Sequence, residues 1–159
     1  MNLIEVYNAT RTEVDEEAVA ALVDGVLAAE GVVNAELGVE LVGERRIRDL
    51  NREHRGKDEV TDVLSFPLEE ADEEPDAAAE GDDGPPRLLG DIVICTRRAL
   101  RQARADGLPP AFELAVLLVH GTLHLLGHDH ETDAGQMALR QAEVLELVSW
   151  EDLLVSAPR

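Results

Sequence analysis

Apolar positions recur along this chain with two different periods. Between Val14 and Glu30, the residues Val19, Leu22, Val23, Val26 and Leu27 fall three and four apart, as on one face of an α-helix, and Gly31 offers the stop. From Val33 to Leu41 the period is two: Val33, Ala35, Leu37, Val39 and Leu41 alternate with polar or small neighbours, which predicts a half-buried strand. Asn2 to Tyr7, Val60 to Phe66 and Leu88 to Cys95 read as three more strands, and a short basic helix from Glu44 to His54 buries Ile47 and Leu50. Thr96 is the expected N-cap of a helix that reaches Ala105 and ends at Gly107. Pro109 and Pro110 open another helix, to about Leu126, whose run AVLLVHGTLHLL is apolar nearly all round and so predicts the most buried element. A last helix, from Asp133 to Val148 with Thr132 as its cap, packs Met137, Leu139, Val144, Leu145 and Val148. The succession predicts an α+β protein, a mixed sheet of about four strands covered by helices.

The 159 residues suit a single domain, 1–159, able to bury about two-thirds of the surface its unfolded chain exposes. Cys95 is the only cysteine, which excludes an internal disulfide and leaves His, Asp and Glu to hold any metal, with at most one thiolate. No run of apolar residues is long enough to span a bilayer and no export signal is visible, so a cytoplasmic protein without a membrane partner is expected.

The net charge of −20 argues at first against a polyanionic partner. Its distribution changes that picture. Residues 69 to 83 hold nine acids and no base; without them the balance is 25 acids to 14 bases. The wider segment 69–86 has little apolar surface with which to offset the entropy of ordering, and is expected to be a mobile acidic insertion. Ten of the fourteen bases fall between Arg45 and Lys57 or between Arg97 and Arg104. Arg97, Arg101 and Arg104 share one helical face, either a solvated face or a stripe for phosphates. Four aromatic residues in all weigh against a module that stacks bases on exposed rings.

The histidines need the most explanation. His120 and His124 sit four apart inside the apolar helix, which stacks their imidazoles about 6 Å apart along the axis. Gly127 can turn the chain and return His130 to the same point, giving HxxxHxxGxxH. His128 competes for the third place, but on a continuous helix it would lie about 12 Å beyond His120, so His130 is preferred. Imidazoles buried without partners are costly, and a shared cation removes that cost. Three neutral imidazoles with an open fourth position suit one catalytic Zn2+ per chain. A closed, structural site would need a fourth ligand from Cys95 or His128. Position 121 is Gly where zinc peptidases with this spacing carry the glutamate that serves as general base. Three neutral ligands also leave the metal's full charge, which favours an anionic substrate and phosphodiester cleavage over peptide hydrolysis.

LNREHRGKDEVTDVLSFP (Leu50 to Pro67), LLGDIVIC (Leu88 to Cys95) and HGTLHLLGHDH (His120 to His130) resemble, in the family's order, the three signatures of the YbeY-type endoribonucleases, also described as rRNA maturation factors. The resemblance implies metal ligation by His120, His124 and His130 and a functionally required arginine at Arg55, which taken alone would be a plain surface residue. It implies metal-dependent cleavage of single-stranded RNA in 16S rRNA 3′-end maturation and ribosome quality control, with the small ribosomal subunit as partner. Asp91, in the LLGDIVIC block, is either a carboxylate that orients a metal ligand or a polar strand residue. The expected function is therefore a zinc-dependent endoribonuclease whose metal lies at the C-terminal end of the buried helix, with Arg55 stabilising developing anionic charge. The rivals are a zinc peptidase, disfavoured by Gly121, and a ribosome-assembly factor with a structural metal.

Overall fold

The computed structural model describes residues 1–68, 84–128, 134–153 and 155–156. Four strands, β1 (Leu3–Asn8), β2 (Ala35–Val42), β3 (Val63–Pro67) and β4 (Arg87–Cys95), form one sheet in the order β1-β2-β4-β3. β1, β2 and β4 are parallel, and β3 runs antiparallel at the edge beside β4. The five helices are α1 (Glu16–Ala29), α2 (Glu44–Arg55), α3 (Thr96–Asp106), α4 (Pro110–Leu125) and α5 (Gln136–Leu147), followed by a turn of 3₁₀ helix at Glu151–Leu153. This is the expected α+β class with a mixed four-stranded sheet. No helix among the described residues is long and apolar enough to cross a membrane.

Side-chain alternation divides the sheet into two faces. Leu37, Val39 and Leu41 of β2 and Ile92 and Ile94 of β4 point to the face covered by α1, α3 and α4, with α5 packed against α1 and α4. Val42, Val93 and Cys95 point the other way, where Ile47 and Leu50 of α2 cover them together with Leu64 of β3. α2 covers only part of that second face: Leu3 and Tyr7 of β1 remain 52% and 66% exposed. α4 is the central helix, in contact with β3, β4, α1, α3 and α5, and from Leu114 to Leu125 it buries nearly every apolar residue.

Boundaries differ from expectation where a side chain finds a tertiary partner. Val33 lies outside β2 and is half-exposed, because Asn34, at φ +54°, turns the chain just before the strand. β3 begins at Val63 rather than Val60, since Asp62 Oδ1 accepts the Val63 backbone N–H (2.8 Å) and starts the strand there. α1 begins two residues late because Asp15 is its N-cap, Oδ1 accepting from Ala18 N–H at 3.1 Å. Thr96 does not cap α3: Cys95 occupies the cap position, and the Thr96 hydroxyl meets that of Thr12 at 3.0 Å. α5 starts at Gln136 behind Gly135, and the expected cap Thr132 lies outside the described residues, as does most of the acidic segment. Of 69–86, only 84–86 is described; the Gly84 carbonyl accepts from Asn34 Nδ2 at 2.8 Å.

Candidate functional site

The C-terminal ends of α2 and α4 meet on either side of the edge strand β3. The cleft between them, about 510 Å³, is lined by His54 and Arg55 of α2, by Thr61, Asp62 and the strand β3 that follows them, and by His120 and His124 of α4. Two glycine stops create this meeting. Gly56, at φ +69°, ends α2 directly after Arg55, its N–H bonding Arg52 O while Lys57 N–H bonds Asn51 O. Gly127, at φ +97°, follows α4 in the same way, with His128 N–H bonding Leu123 O at 3.0 Å.

The expected ligands His120 and His124 are half-buried, their Nε2 atoms 3.1 Å apart and their rings edge to face at 77°. Two imidazole nitrogens on one tetrahedral ion, each about 2.0–2.1 Å from it, stand about 3.3 Å apart, so this pair fits a shared zinc. His120 Nδ1 lies 2.8 Å from Oε1 of Gln141 on α5. An amide oxygen can only accept, so Nδ1 carries the proton and the Nε2 lone pair faces the cleft. The third expected ligand, His130, lies outside the described residues, and among those described no group of three His, Cys, Asp or Glu converges as a metal site would require.

The other residues weighed from the sequence are placed elsewhere. His128 Nε2 lies 3.6 Å from Glu30 Oε2, beside the ion pair that Arg140 forms with the same carboxylate at 2.6 Å. Cys95 is fully buried under α2, and burial pushes its thiol pKa up, away from the thiolate a metal would need. Asp91 is exposed on the face opposite α4, its Oδ1 so close above Gly38 that a Cβ there would collide with it. That makes it a polar strand residue rather than an orienting partner of the histidines. Gly121 packs against β4: a Cβ at 121 would fall 2.8 Å from Ile92 Cγ2. Where the peptidase pattern needs a glutamate, this fold leaves room for no side chain.

Several residues in and around the cleft carried no signal of their own in the sequence. Asp62 accepts from Gln102 Nε2 (3.3 Å) as well as from Val63, and so anchors the start of β3 to α3. Ser65 Oγ donates to the carbonyl of Gly121 (3.3 Å), tying β3 to α4 between the two histidines. Asn51, buried in α2, donates from Nδ2 to Glu59 O (3.0 Å) and holds the loop that follows Arg55, while its Oδ1 has no partner among the described residues. His54 packs edge-on against Phe66, ring centres 4.9 Å apart. Gln141 could be found only from the tertiary structure, since nothing in its local sequence relates it to His120.

A family model described as "Endoribonuclease YbeY" matches residues 5–149. The chain is 49% identical over 138 residues to endoribonuclease YbeY of Moorella thermoacetica, covering 83% of this chain and 87% of that one. It is 49% identical over 133 residues to the Anaeromyxobacter dehalogenans protein of the same name, covering 84% of this chain and 63% of that longer one. Among solved structures, the fold is similar to a solution structure from Thermotoga maritima, with TM-score 0.61 and 27% identity over 91% of this chain and 87% of the other.

Proposed function

The chain belongs to the endoribonuclease YbeY family, and we propose that it is a zinc-dependent endoribonuclease that cuts single-stranded RNA in 16S rRNA 3′-end maturation and ribosome quality control. The observation that carries the metal-dependent reading is the His120–His124 pair, with facing Nε2 atoms 3.1 Å apart and one ring oriented through Gln141. In this reading His120, His124 and His130 hold one Zn2+ per chain. When bound, the ion supplies a Lewis acid and lowers the pKa of a water.

The chain's own residues do the rest. Arg55, at the mouth of the same cleft, meets a phosphate oxygen with the planar, two-pronged donor set of a guanidinium and stabilises the charge that develops on it. Gln141 fixes the tautomer of His120, and Ser65 and Asp62 hold β3 in place against α4. In this reading the protein works in the cytoplasm, with RNA as substrate and the small ribosomal subunit as partner.

Incubating the purified protein with an end-labelled single-stranded RNA and with casein, each with and without chelator, tests this. Internal RNA cuts that vanish with chelator and return with Zn2+, beside intact casein, are expected. Chelator-resistant RNA cleavage, or hydrolysis of casein, would overturn the proposal.

A further inference from the structure

A second cavity, about 1040 Å³, is larger than the histidine cleft and shares no residue with it. It opens at the carboxyl ends of the three parallel strands, where β1 passes into Ala9–Thr12, β2 into Gly43 and β4 into Thr96. In open α/β sheets this edge gathers helix N-termini, whose unpaired N–H groups favour anions. Here α2 and α3 both begin at the cavity, and neither N-terminus has a side-chain cap.

Four arginines line the cavity: Arg11 after β1, and Arg97, Arg101 and Arg104 on α3. They are four of the chain's fourteen Lys and Arg residues. In a protein of net charge −20, no carboxylate is among the described residues lining this cavity. Glu44 stands outside the lining, holding Arg101 at 2.9 Å and Arg97 at 3.9 Å, exposed pairs of the kind that exchange readily for a better anion. Thr12 and Thr96, both buried, share one hydrogen bond between their hydroxyls, which leaves the pair one further proton to donate at the cavity wall. Between the arginines lie Leu100, Leu108 and Val155, an apolar floor that a purely inorganic anion would not use.

We infer that this cavity is a second site, for a nucleoside phosphate: the arginines and helix N-termini take the phosphate, and the leucine floor takes the sugar and base. Pro110, which also lines it, is the first residue of α4, so the histidines ten and fourteen residues on lie about 15 and 21 Å away along the axis. A strand of a few nucleotides bridges that distance. The site would therefore hold an RNA strand outside the cleavage cleft, an assignment that rests on the endoribonuclease reading only for the identity of its polymer.

The test is fluorescence anisotropy of a labelled 12-nucleotide single-stranded RNA, and calorimetry with uridine 5′-monophosphate, using the zinc-loaded protein. RNA integrity is checked on gels, and the Arg101→Ala/Arg104→Ala and Arg101→Lys/Arg104→Lys variants are run beside the parent. The alanine pair is expected to weaken RNA binding roughly tenfold at low salt and to flatten the salt dependence of log K by about 1.4, two single-strand phosphate contacts, with an unchanged melting temperature. The lysine pair should restore the slope. Arginine-dependent binding of both ligands assigns the site to a single nucleotide unit, and of RNA alone to the running backbone. Equal affinities for parent and alanine pair with both ligands would overturn the inference. Cleavage of the same RNA is followed in parallel: absent cleavage with arginine-dependent binding defeats the nuclease reading alone, and normal cleavage with arginine-independent binding defeats this one alone.

Discussion

Gln141 Oε1 stands 2.8 Å from Nδ1 of His120, across the contact between α5 and α4. This amide orients the imidazole and leaves its Nε2 free of the proton that would block a metal. Gln141→Ala should therefore lower zinc affinity about 10- to 100-fold while leaving the fold intact. Competition with a colorimetric chelator measures this, and parental affinity in the variant would show that His120 is oriented by something else.

Of the two histidines beyond α4, His128 is turned toward Glu30, 3.6 Å away. The proposed ligand set thus predicts that His130→Ala and His124→Ala lose the bound zinc whereas His128→Ala keeps one ion per chain. Metal analysis of the three purified proteins decides it; zinc retained by His130→Ala and lost from His128→Ala would reverse the assignment.

Arg55 ends α2 at the cleft and makes no hydrogen bond, among the described residues, to α4, the helix that carries His120 and His124. Arg55→Ala should keep the fold and the metal and lose about 100- to 1000-fold in single-turnover RNA cleavage, the cost of roughly 3–4 kcal/mol for one transition-state contact. Arg55→Lys should recover part of the rate, because it restores the charge without the two-pronged geometry. A normal rate for Arg55→Ala would remove this residue from the mechanism.

Gly121→Ala places a methyl 2.8 Å from Cγ2 of Ile92, a fully buried, β-branched side chain that cannot swing away. Overpacking of about 1–3 kcal/mol should outweigh the gain of up to about 1 kcal/mol from alanine's helix propensity. In an Ile92→Ala background, which removes the clashing atom, the same substitution should cost measurably less. Chemical denaturation of the four proteins gives the coupling, and additive effects would show that the two residues do not compete for this space.

Burial raises the Glu113 pKa, with the nearby Asp62 charge adding to it and the hydrogen bond from Gln102 Nε2 (2.9 Å) opposing it. Its native pKa therefore lies above its unfolded one. The native state binds the proton more tightly, so the cost of the buried charge is absent below the unfolded carboxyl range, grows as pH rises through it, and is complete above the raised native value. Glu113→Gln keeps an acceptor oxygen for Gln102 and removes the charge. Its melting temperature should exceed the parent's at pH 7 and match it near pH 4; a gain of the same size at both would assign the effect to packing instead.

The repeat of apolar residues determined the elements, because a period near 3.6 or of 2 decides which local geometry can present one dry face. The HxxxH spacing likewise placed His120 and His124 on one side of their helix, and Gly127 announced the stop beside the cleft, both being consequences of local backbone geometry. Capping was less legible: Thr96 has the chemistry of an N-cap, yet its hydroxyl is taken by Thr12, 84 residues away in the chain. Tertiary structure alone decided the strand order β1-β2-β4-β3 and the antiparallel edge strand that brings Arg55 to the histidines. It alone set Gln141 against His120 and Arg11 beside the arginines of α3. Such pairings depend on how the faces of distant elements stack. A sequence records which face of each element is apolar, but not which other element will cover it.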